Sequence, residues 1–223
     1  MGKPQKQKYS FYKKAALLAC LRGRTTLYEM RNWEQCYAEQ NTPWDHGEPA
    51  PPLREYLRHT SITGNVLVPG CGKGHDVRLL AAQGATVLGL DIAPSAIHEA
   101  DSIPKAANER YEVGDLLALS DSLQGTFDWA VEHTCLCALD PEQREAYAEA
   151  VFKALKADGY LLGIFYCIIE GYDGSGPPHP ISPDAIDALF ADKFETVSAW
   201  TPTETYTSRQ GGKEQMRLMR KIG

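Results

Sequence analysis

A short glycine-rich segment, residues 65–76 (NVLVPGCGKGHD), constrains the fold of this chain most strongly. Its first four residues have the apolar character of a buried strand, and glycines follow at positions 70, 72 and 74. Glycine allows a sharp backbone turn and a close approach by a ligand, because it has no Cβ atom. The segment therefore predicts a strand, a cofactor-binding loop made by Gly70, Gly72 and Gly74, and a helix in direct succession.

Short apolar runs alternate with helical stretches after this loop, which predicts a parallel sheet with helices on both faces. The predicted strands are NVLVP, ATVLGLD, RYEVGD, FDWAVE and GYLLGIFYCI, and the predicted helices are HDVRLLAAQ, PSAIHEADSI, PEQREAYAEAVFKAL and SPDAIDALFA. We expect FETVSAW and KEQMRLMRKI to close the sheet as a β-hairpin around a turn near Gly211 and Gly212. We expect residues 1–24 to form a basic tail that runs into a short helix, a second helical stretch to cover 27–40, and residues 25–223 to form one domain.

The charge of the chain is unevenly distributed and argues against a nucleic-acid substrate. Of the 23 basic residues, seven precede the first acidic residue, which leaves 16 against 29 acidic ones and a net charge of −13 for the remainder. Such a body repels a phosphate backbone. The basic tail is either simply solvated or makes a weak contact with an anionic surface.

The cysteines and the apolar runs exclude two further classes of protein. The six cysteines lack CxxC pairs and zinc-site spacing, which predicts buried free thiols and no metal centre. No apolar run reaches the roughly 20 residues needed to cross a bilayer, and the start of the chain lacks the pattern of a secretory signal. We therefore expect a cytoplasmic monomer that acts on a small molecule.

Acidic residues follow the next two predicted strands. Asp91 ends the strand after the glycine loop, where a carboxylate accepts hydrogen bonds from two ribose hydroxyls, and Ile92 is its neighbour. Asp115 and Leu116 end the third strand, where Asp115 is placed to bind an adenine amino group and Leu116 to lie against the ring. A plain turn residue at the strand end is the alternative for Asp115.

Two details of the glycine loop separate the cofactors that use this layout. The dinucleotide fingerprint GxGxxG requires glycine at position 75, where this chain has His75. Asp76 in the first helical turn would repel a pyrophosphate, whereas S-adenosylmethionine carries no phosphate and has a cationic amino group and sulfonium. Asp76 either helps to bind that cofactor or only starts the helix. A nicotinamide-dependent oxidoreductase and a noncatalytic cofactor-binding interaction protein remain the rival interpretations.

Five ordered motifs resemble the thiopurine S-methyltransferase-like family, which includes halide, thiocyanate and small-thiol methyltransferases. They are TPWDHGEPAPPL (42–53), LVPGCGKGHD (67–76), GLDIAPSAI (89–97), VEHTCLCALDPEQREAY (131–147) and SGPPHPIS (175–182). The resemblance implies a Rossmann-like class I methyltransferase: a seven-stranded, mostly parallel sheet with helices on both faces and an N-terminal helical lid. It also implies that Trp33 and Trp44 flank the methionine end of the cofactor, since aromatic faces attract a sulfonium. Without the resemblance both tryptophans read as core residues.

The end of the fourth predicted strand, Glu132-His133-Thr134, indicates where the methyl acceptor binds. Methyl transfer requires a nucleophile held opposite the leaving sulfur. The Asn/Asp-Pro-Pro-aromatic motif of many nitrogen methyltransferases is absent here, and His133 stands where the mammalian thiopurine enzymes have an arginine. A histidine accepts a thiol proton or orients an anion, although a structural role is the alternative. Glu132 either meets the cofactor or caps the next turn.

A glycine- and proline-rich loop at 170–181 is predicted to roof the same pocket. Tyr172 on this loop either donates a hydrogen bond to an anionic nucleophile or only packs. Together these features predict an S-adenosylmethionine-dependent methyltransferase whose acceptor is a thiol or hydrogen sulfide, ahead of halide and thiocyanate. Selenium, tellurium and thiopurine compounds are the alternative acceptors.

Overall fold

The computed structural model describes residues 32–105 and 108–223. The predicted basic tail (1–24) and the first part of the predicted second helix lie outside the described residues. Trp33–Gly223 forms one structural unit. Within the described ranges, no helix is both long enough and apolar enough to cross a membrane.

The unit is built on a seven-stranded sheet in the order β3-β2-β1-β4-β5-β7-β6, as the family resemblance implies. Strands β1 to β5 are parallel to one another, and β7 is antiparallel to both β5 and β6. The strands are β1 (Asn65–Pro69), β2 (Thr86–Asp91), β3 (Glu109–Val113), β4 (Phe127–His133), β5 (Leu155–Tyr166), β6 (Phe194–Trp200) and β7 (Glu214–Lys221).

Helices connect the parallel strands and cover the sheet. They are α1 (Trp33–Ala38), α2 (Pro51–Leu57), α3 (His75–Ala82), α4 (Pro94–Ser102), α5 (Arg144–Ala154) and α6 (Pro183–Phe190). Prolines stand in the first turns of α2, α4 and α6, where the missing N–H group costs no helical hydrogen bond. Each predicted helix of the alternating region is therefore confirmed, with small differences at the ends.

The core lies on both faces of the sheet because successive side chains of a strand point to opposite sides. Leu67 of β1 joins the cluster under α5 and α6, which includes Tyr147 and Phe190. Its neighbours Val66 and Val68 join the cluster under α3. Two buried faces explain why the central strands read as continuous apolar runs.

The connection between β6 and β7 carries a feature that the sequence did not predict. The antiparallel pairing of the two strands is confirmed, and the chain turns at Gly211 and Gly212 as predicted. Residues 201–213 form a longer connection that contains a 3₁₀ turn at Thr207–Arg209. Because β6 runs in the same direction as β5, this connection lies at the carboxyl edge of the parallel strands, where α/β proteins bind their ligands.

Candidate active site

The glycine loop has the backbone geometry that the sequence predicts. Gly70, Gly72 and Gly74 have φ angles of 58°, 52° and 75°, a region in which glycine is favoured over other residues. A Cβ atom at Gly70 would lie 2.9 Å from the Cβ of Cys135, in the loop after β4. Glycine at this position thus allows the loops after β1 and β4 to approach each other.

Asp91 supports the glycine loop from the end of β2. Its Oδ2 accepts a hydrogen bond of 2.8 Å from the Gly72 N–H, and its Oδ1 accepts one of 2.9 Å from the Ala93 N–H. Burial raises the pKa of Asp91 despite these backbone donors. Ile92, the next residue, is half exposed and presents apolar surface at the carboxyl edge of the sheet.

Asp115 and Leu116 lie in the segment that follows β3. The Leu117 N–H donates to Asp115 Oδ1 at 2.9 Å, so Asp115 caps the 3₁₀ turn that begins at Leu116. Leu116 is buried in the core cluster below. Contact between Asp115 and an adenine amino group stays a prediction.

An aromatic cluster on the N-terminal segment faces the glycine loop. The rings of Trp33 and Trp44 meet edge to face with centroids 5.1 Å apart, and the Trp44 indole N–H donates to the hydroxyl of Tyr37 at 3.1 Å. A Cβ atom at Gly72 would lie 2.8 Å from that hydroxyl. Sequence reasoning missed Tyr37, although its position four residues after Trp33 placed both on one helical face.

Asp45 ties this aromatic segment to the loop. Its Oδ2 lies 3.0 Å from Lys73 Nζ, and its Oδ1 accepts from His75 Nε2 at 3.1 Å. Burial opposes ionisation of Asp45, but the Gly47 N–H and the Lys73 ammonium hold its pKa below the usual value. His75, which takes the place of a fingerprint glycine, therefore fastens the segment over the loop.

Asp76 and His133 form a buried hydrogen-bonded pair. Asp76 Oδ2 lies 2.8 Å from His133 Nδ1, and Asp76 Oδ1 accepts from the Ala50 N–H at 2.8 Å. Burial opposes ionisation of Asp76, yet the His133 ring and the Ala50 N–H hold the pKa of this carboxyl below its ordinary value. An ionised carboxylate only accepts, so Nδ1 carries a proton, and Nε2 is an acceptor whenever the ring is neutral.

The other ring nitrogen of His133, Nε2, is buried, and none of the residues that the structure describes forms a hydrogen bond with it. A buried polar atom without a partner costs about 1–3 kcal/mol and calls for an explanation. The two oxygens of Asp76 hold the segment at Ala50 and the ring of His133, and direct contact between Asp76 and the cofactor stays a prediction.

Glu132 supports the turn that follows β4 and is fully buried. Its Oε1 accepts from the Leu136 N–H at 2.9 Å, and its Oε2 accepts from the hydroxyl of Tyr147. Glu132 therefore caps this turn, and its contact with the cofactor stays a prediction. Between Glu132 and this turn, Thr134 has a φ angle of 65°, an uncommon conformation for a β-branched residue.

Besides Tyr37, sequence reasoning missed His46, Tyr206 and Arg209. The last two lie in the connection between β6 and β7. The ring of Tyr206 is nearly parallel to those of His46 and His133, with centroids 3.9 and 6.1 Å away. The guanidinium of Arg209 lies 5.7 Å from the centroid of the Tyr206 ring. The direction of β6 could have revealed Tyr206 and Arg209. Because β6 runs parallel to β5, the loop that follows it lies at the carboxyl edge of the sheet.

Tyr172 lies in the predicted roof loop, where its hydroxyl is 2.8 Å from His179 Nδ1. This loop packs against the turn after β4, because the His179 N–H donates to the Cys137 carbonyl at 2.7 Å. A hydrogen bond from Tyr172 to the nucleophile stays a prediction. Burial raises the pKa of the Cys135 thiol and brings that of Cys137 to about 12, which keeps both protonated and unreactive.

Comparison with known families decides between the cofactor classes that share this loop. The family model described as thiopurine S-methyltransferase matches residues 28–220. The chain belongs to the thiopurine S-methyltransferase family. It is therefore an S-adenosylmethionine-dependent methyltransferase.

Members of this family with similar sequences carry two related names. Thiocyanate methyltransferase 1 of Brassica oleracea is 34% identical over 200 residues, covering 87% of this chain and 86% of the relative. Probable thiol methyltransferase 2 of Arabidopsis thaliana is 31% identical over 172 residues, covering 74% of each chain.

A solved structure supports the fold. It comes from work on the conversion of a disulfide bond into a thioacetal group during echinomycin biosynthesis, and it superposes with a TM-score of 0.72. It is 23% identical and covers 86% of this chain and 92% of that one.

Proposed function

We propose that this methyltransferase acts on the sulfur of a small thiol or of hydrogen sulfide, with His133 accepting the thiol proton. The observation that carries the proposal is the pair formed by Asp76 and His133. Asp76 fixes the ring through Nδ1, and Nε2 is a buried acceptor without a partner among the described residues. An S–H group of the substrate supplies the missing donor.

The residues at the carboxyl edge fit S-adenosylmethionine. Each oxygen of Asp91 accepts one backbone N–H, and a carboxylate oxygen has room for a second donor from a ribose hydroxyl. The half-exposed side chains of Ile92 and Val113 offer an apolar surface for a purine ring. Trp33 and Trp44 supply aromatic faces for the sulfonium. We assign these residues, together with the glycine loop, to cofactor binding.

The chain contributes orientation and a proton acceptor to the reaction. When bound, S-adenosylmethionine supplies a methyl group on a positively charged sulfur, which is already a good leaving group. His133 Nε2 would take the thiol proton while the methyl group passes to the acceptor sulfur and the cofactor leaves as neutral S-adenosylhomocysteine, and the Asp76 carboxylate would stabilise the imidazolium that results. The imidazolium afterwards returns its proton to solvent.

Thiocyanate is the second candidate acceptor, because the Brassica oleracea relative carries that name at 34% identity. This anion has no proton to remove, so its methylation does not require a base. The two acceptors therefore distinguish a base from a residue that only shapes the pocket.

Replacing Asp76 with Asn tests the proposal with these two acceptors. The wild-type side chain accepts two hydrogen bonds, whereas an amide has one acceptor oxygen and must turn its NH₂ toward Ala50 or toward His133. When the NH₂ group faces His133, it donates to Nδ1. The proton of the neutral ring must then lie on Nε2, which can no longer accept a proton from the thiol. We expect kcat for ethanethiol to fall by about 10²-fold or more and kcat for thiocyanate to change little.

Asp128→Asn provides a matched control, because Asp128 lies at the opposite end of β4 and bonds to Asn65 and Lys156. Both rates should stay near the wild-type values in this variant. Equal losses for ethanethiol and thiocyanate in Asp76→Asn would contradict a proton-accepting role. A wild-type protein that methylates thiocyanate but no thiol would overturn the proposed acceptor.

A further inference from the structure

Tyr206 lines a cleft on the protein surface and also stacks with the ring of His133. The cleft has a volume of about 620 Å³, and its lining includes His46, Glu48, Thr203, Tyr206 and Ser208. Tyr206 is only 7% exposed although it lines the cleft, and its ring is inclined by 22° to the ring of His133. The ring of Tyr206 therefore borders both the cleft and the ring of His133.

Several contacts fix the ring of Tyr206. Its hydroxyl donates to the Glu48 carbonyl at 3.0 Å. The imidazole of His46 stacks on the phenol ring, with the two ring centroids 3.9 Å apart. Arg209 packs near the same ring and is itself held by a 2.8 Å ion pair with the fully buried Glu214. A side chain restrained by both packing and hydrogen bonds has little freedom to change rotamer.

We propose that Tyr206 determines specificity by limiting the size of the methyl acceptor, and that the cleft is the route by which the acceptor enters. The inference rests on the proposed function, because it takes His133 as the place where the acceptor sulfur is bound. A fixed ring near His133 leaves room for a narrow nucleophile such as hydrogen sulfide or ethanethiol. An aromatic thiol requires the ring to move away from both imidazoles.

The test compares Tyr206→Ala with Tyr206→Phe in the full-length protein. Phe keeps the ring and loses only the hydrogen bond to Glu48, whereas Ala removes the wall. With saturating S-adenosylmethionine, the ratio of kcat/KM for benzenethiol to that for ethanethiol should rise at least ~10-fold in Tyr206→Ala. The same ratio should match the wild type in Tyr206→Phe.

Chemical modification of His133 tests the Tyr206 barrier independently of enzyme activity. Diethyl pyrocarbonate modifies accessible imidazoles, and peptide mass spectrometry reports each histidine separately. Modification of His133 should rise in Tyr206→Ala relative to His98, an exposed residue of α4, and should stay low in Tyr206→Phe. If Tyr206→Ala does not fold, Tyr206→Leu takes its place. We expect Tyr206→Leu to raise both the ratio of kcat/KM for the two thiols and the modification of His133, each by a smaller factor.

Two outcomes would overturn the inference. One is a folded Tyr206→Ala protein that binds S-adenosylmethionine normally and keeps the wild-type ratio of the two thiols or the wild-type protection of His133. The other is a Tyr206→Phe protein that changes as much as Tyr206→Ala, since the ring would then not be the barrier. A wild-type protein that methylates no thiol would instead overturn the proposed function. The modification of His133 would still show whether the ring of Tyr206 restricts access to that residue.

Discussion

Replacing Asp91 with Ala is expected to weaken the binding of S-adenosylmethionine by on the order of 10²-fold or more. The change removes the carboxylate that we assign to the ribose hydroxyls, and hydrogen bonds to a charged group contribute about 1.5–3 kcal/mol each. It also removes the acceptor for the Gly72 and Ala93 N–H groups. Titration calorimetry with the cofactor measures the dissociation constant directly.

Two further variants separate lost binding from lost structure. Asp91→Asn keeps one acceptor oxygen and should fall between the wild type and Asp91→Ala. Asp121→Ala removes an exposed carboxylate from the 3₁₀ turn at Asp121–Leu123 and should bind the cofactor like the wild type. A folded Asp91→Ala protein with the wild-type dissociation constant would contradict the assignment of Asp91 to the cofactor.

Replacing His133 with Ala is expected to lower kcat for ethanethiol by about 10²–10⁴-fold, the usual contribution of general base catalysis. The loss should appear mainly in kcat, because the proton is transferred in the transition state. The shortened side chain also leaves a space beside Asp76, in which added imidazole can accept the proton. Millimolar imidazole should therefore restore part of the rate with ethanethiol.

Thiocyanate and His98 provide the controls for this variant. Methylation of thiocyanate by His133→Ala should fall much less than methylation of ethanethiol and should not respond to imidazole. His98→Ala changes an exposed histidine of α4 and should leave both rates unchanged. Equal losses with both acceptors, and no rescue, would indicate that His133 only shapes the pocket.

The sequence predicts the framework of the site well, for local physical reasons. The order of apolar strand, glycines and helix determines the loop at Gly70, Gly72 and Gly74, and Asp91 ends the next strand. These features depend on short stretches of chain whose periodicity is visible directly. The alternation of strands and helices likewise predicts the parallel part of the sheet.

The partners of these residues depend on contacts between distant parts of the chain. Asp76 and His133 are 57 positions apart. The pairing of β1 with β4 brings the start of α3, which holds Asp76, close to His133 at the end of β4. Asp76 therefore read as a cofactor ligand or a helix-start residue. Tyr206 was missed because the sequence alone does not show that the connection between β6 and β7 reaches the carboxyl edge of the sheet.

The most direct test of a thiol methyltransferase follows the methyl group itself. Protein loaded with S-adenosylmethionine carrying a ¹³C-labelled methyl group is mixed with ethanethiol or hydrogen sulfide, and volatile products are identified by mass spectrometry. We predict labelled ethyl methyl sulfide or methanethiol in an amount equal to the bound cofactor, formed faster than labelled methyl thiocyanate from thiocyanate. Consumption of the cofactor with thiocyanate or a halide alone, and no labelled product from either sulfur compound, would contradict it.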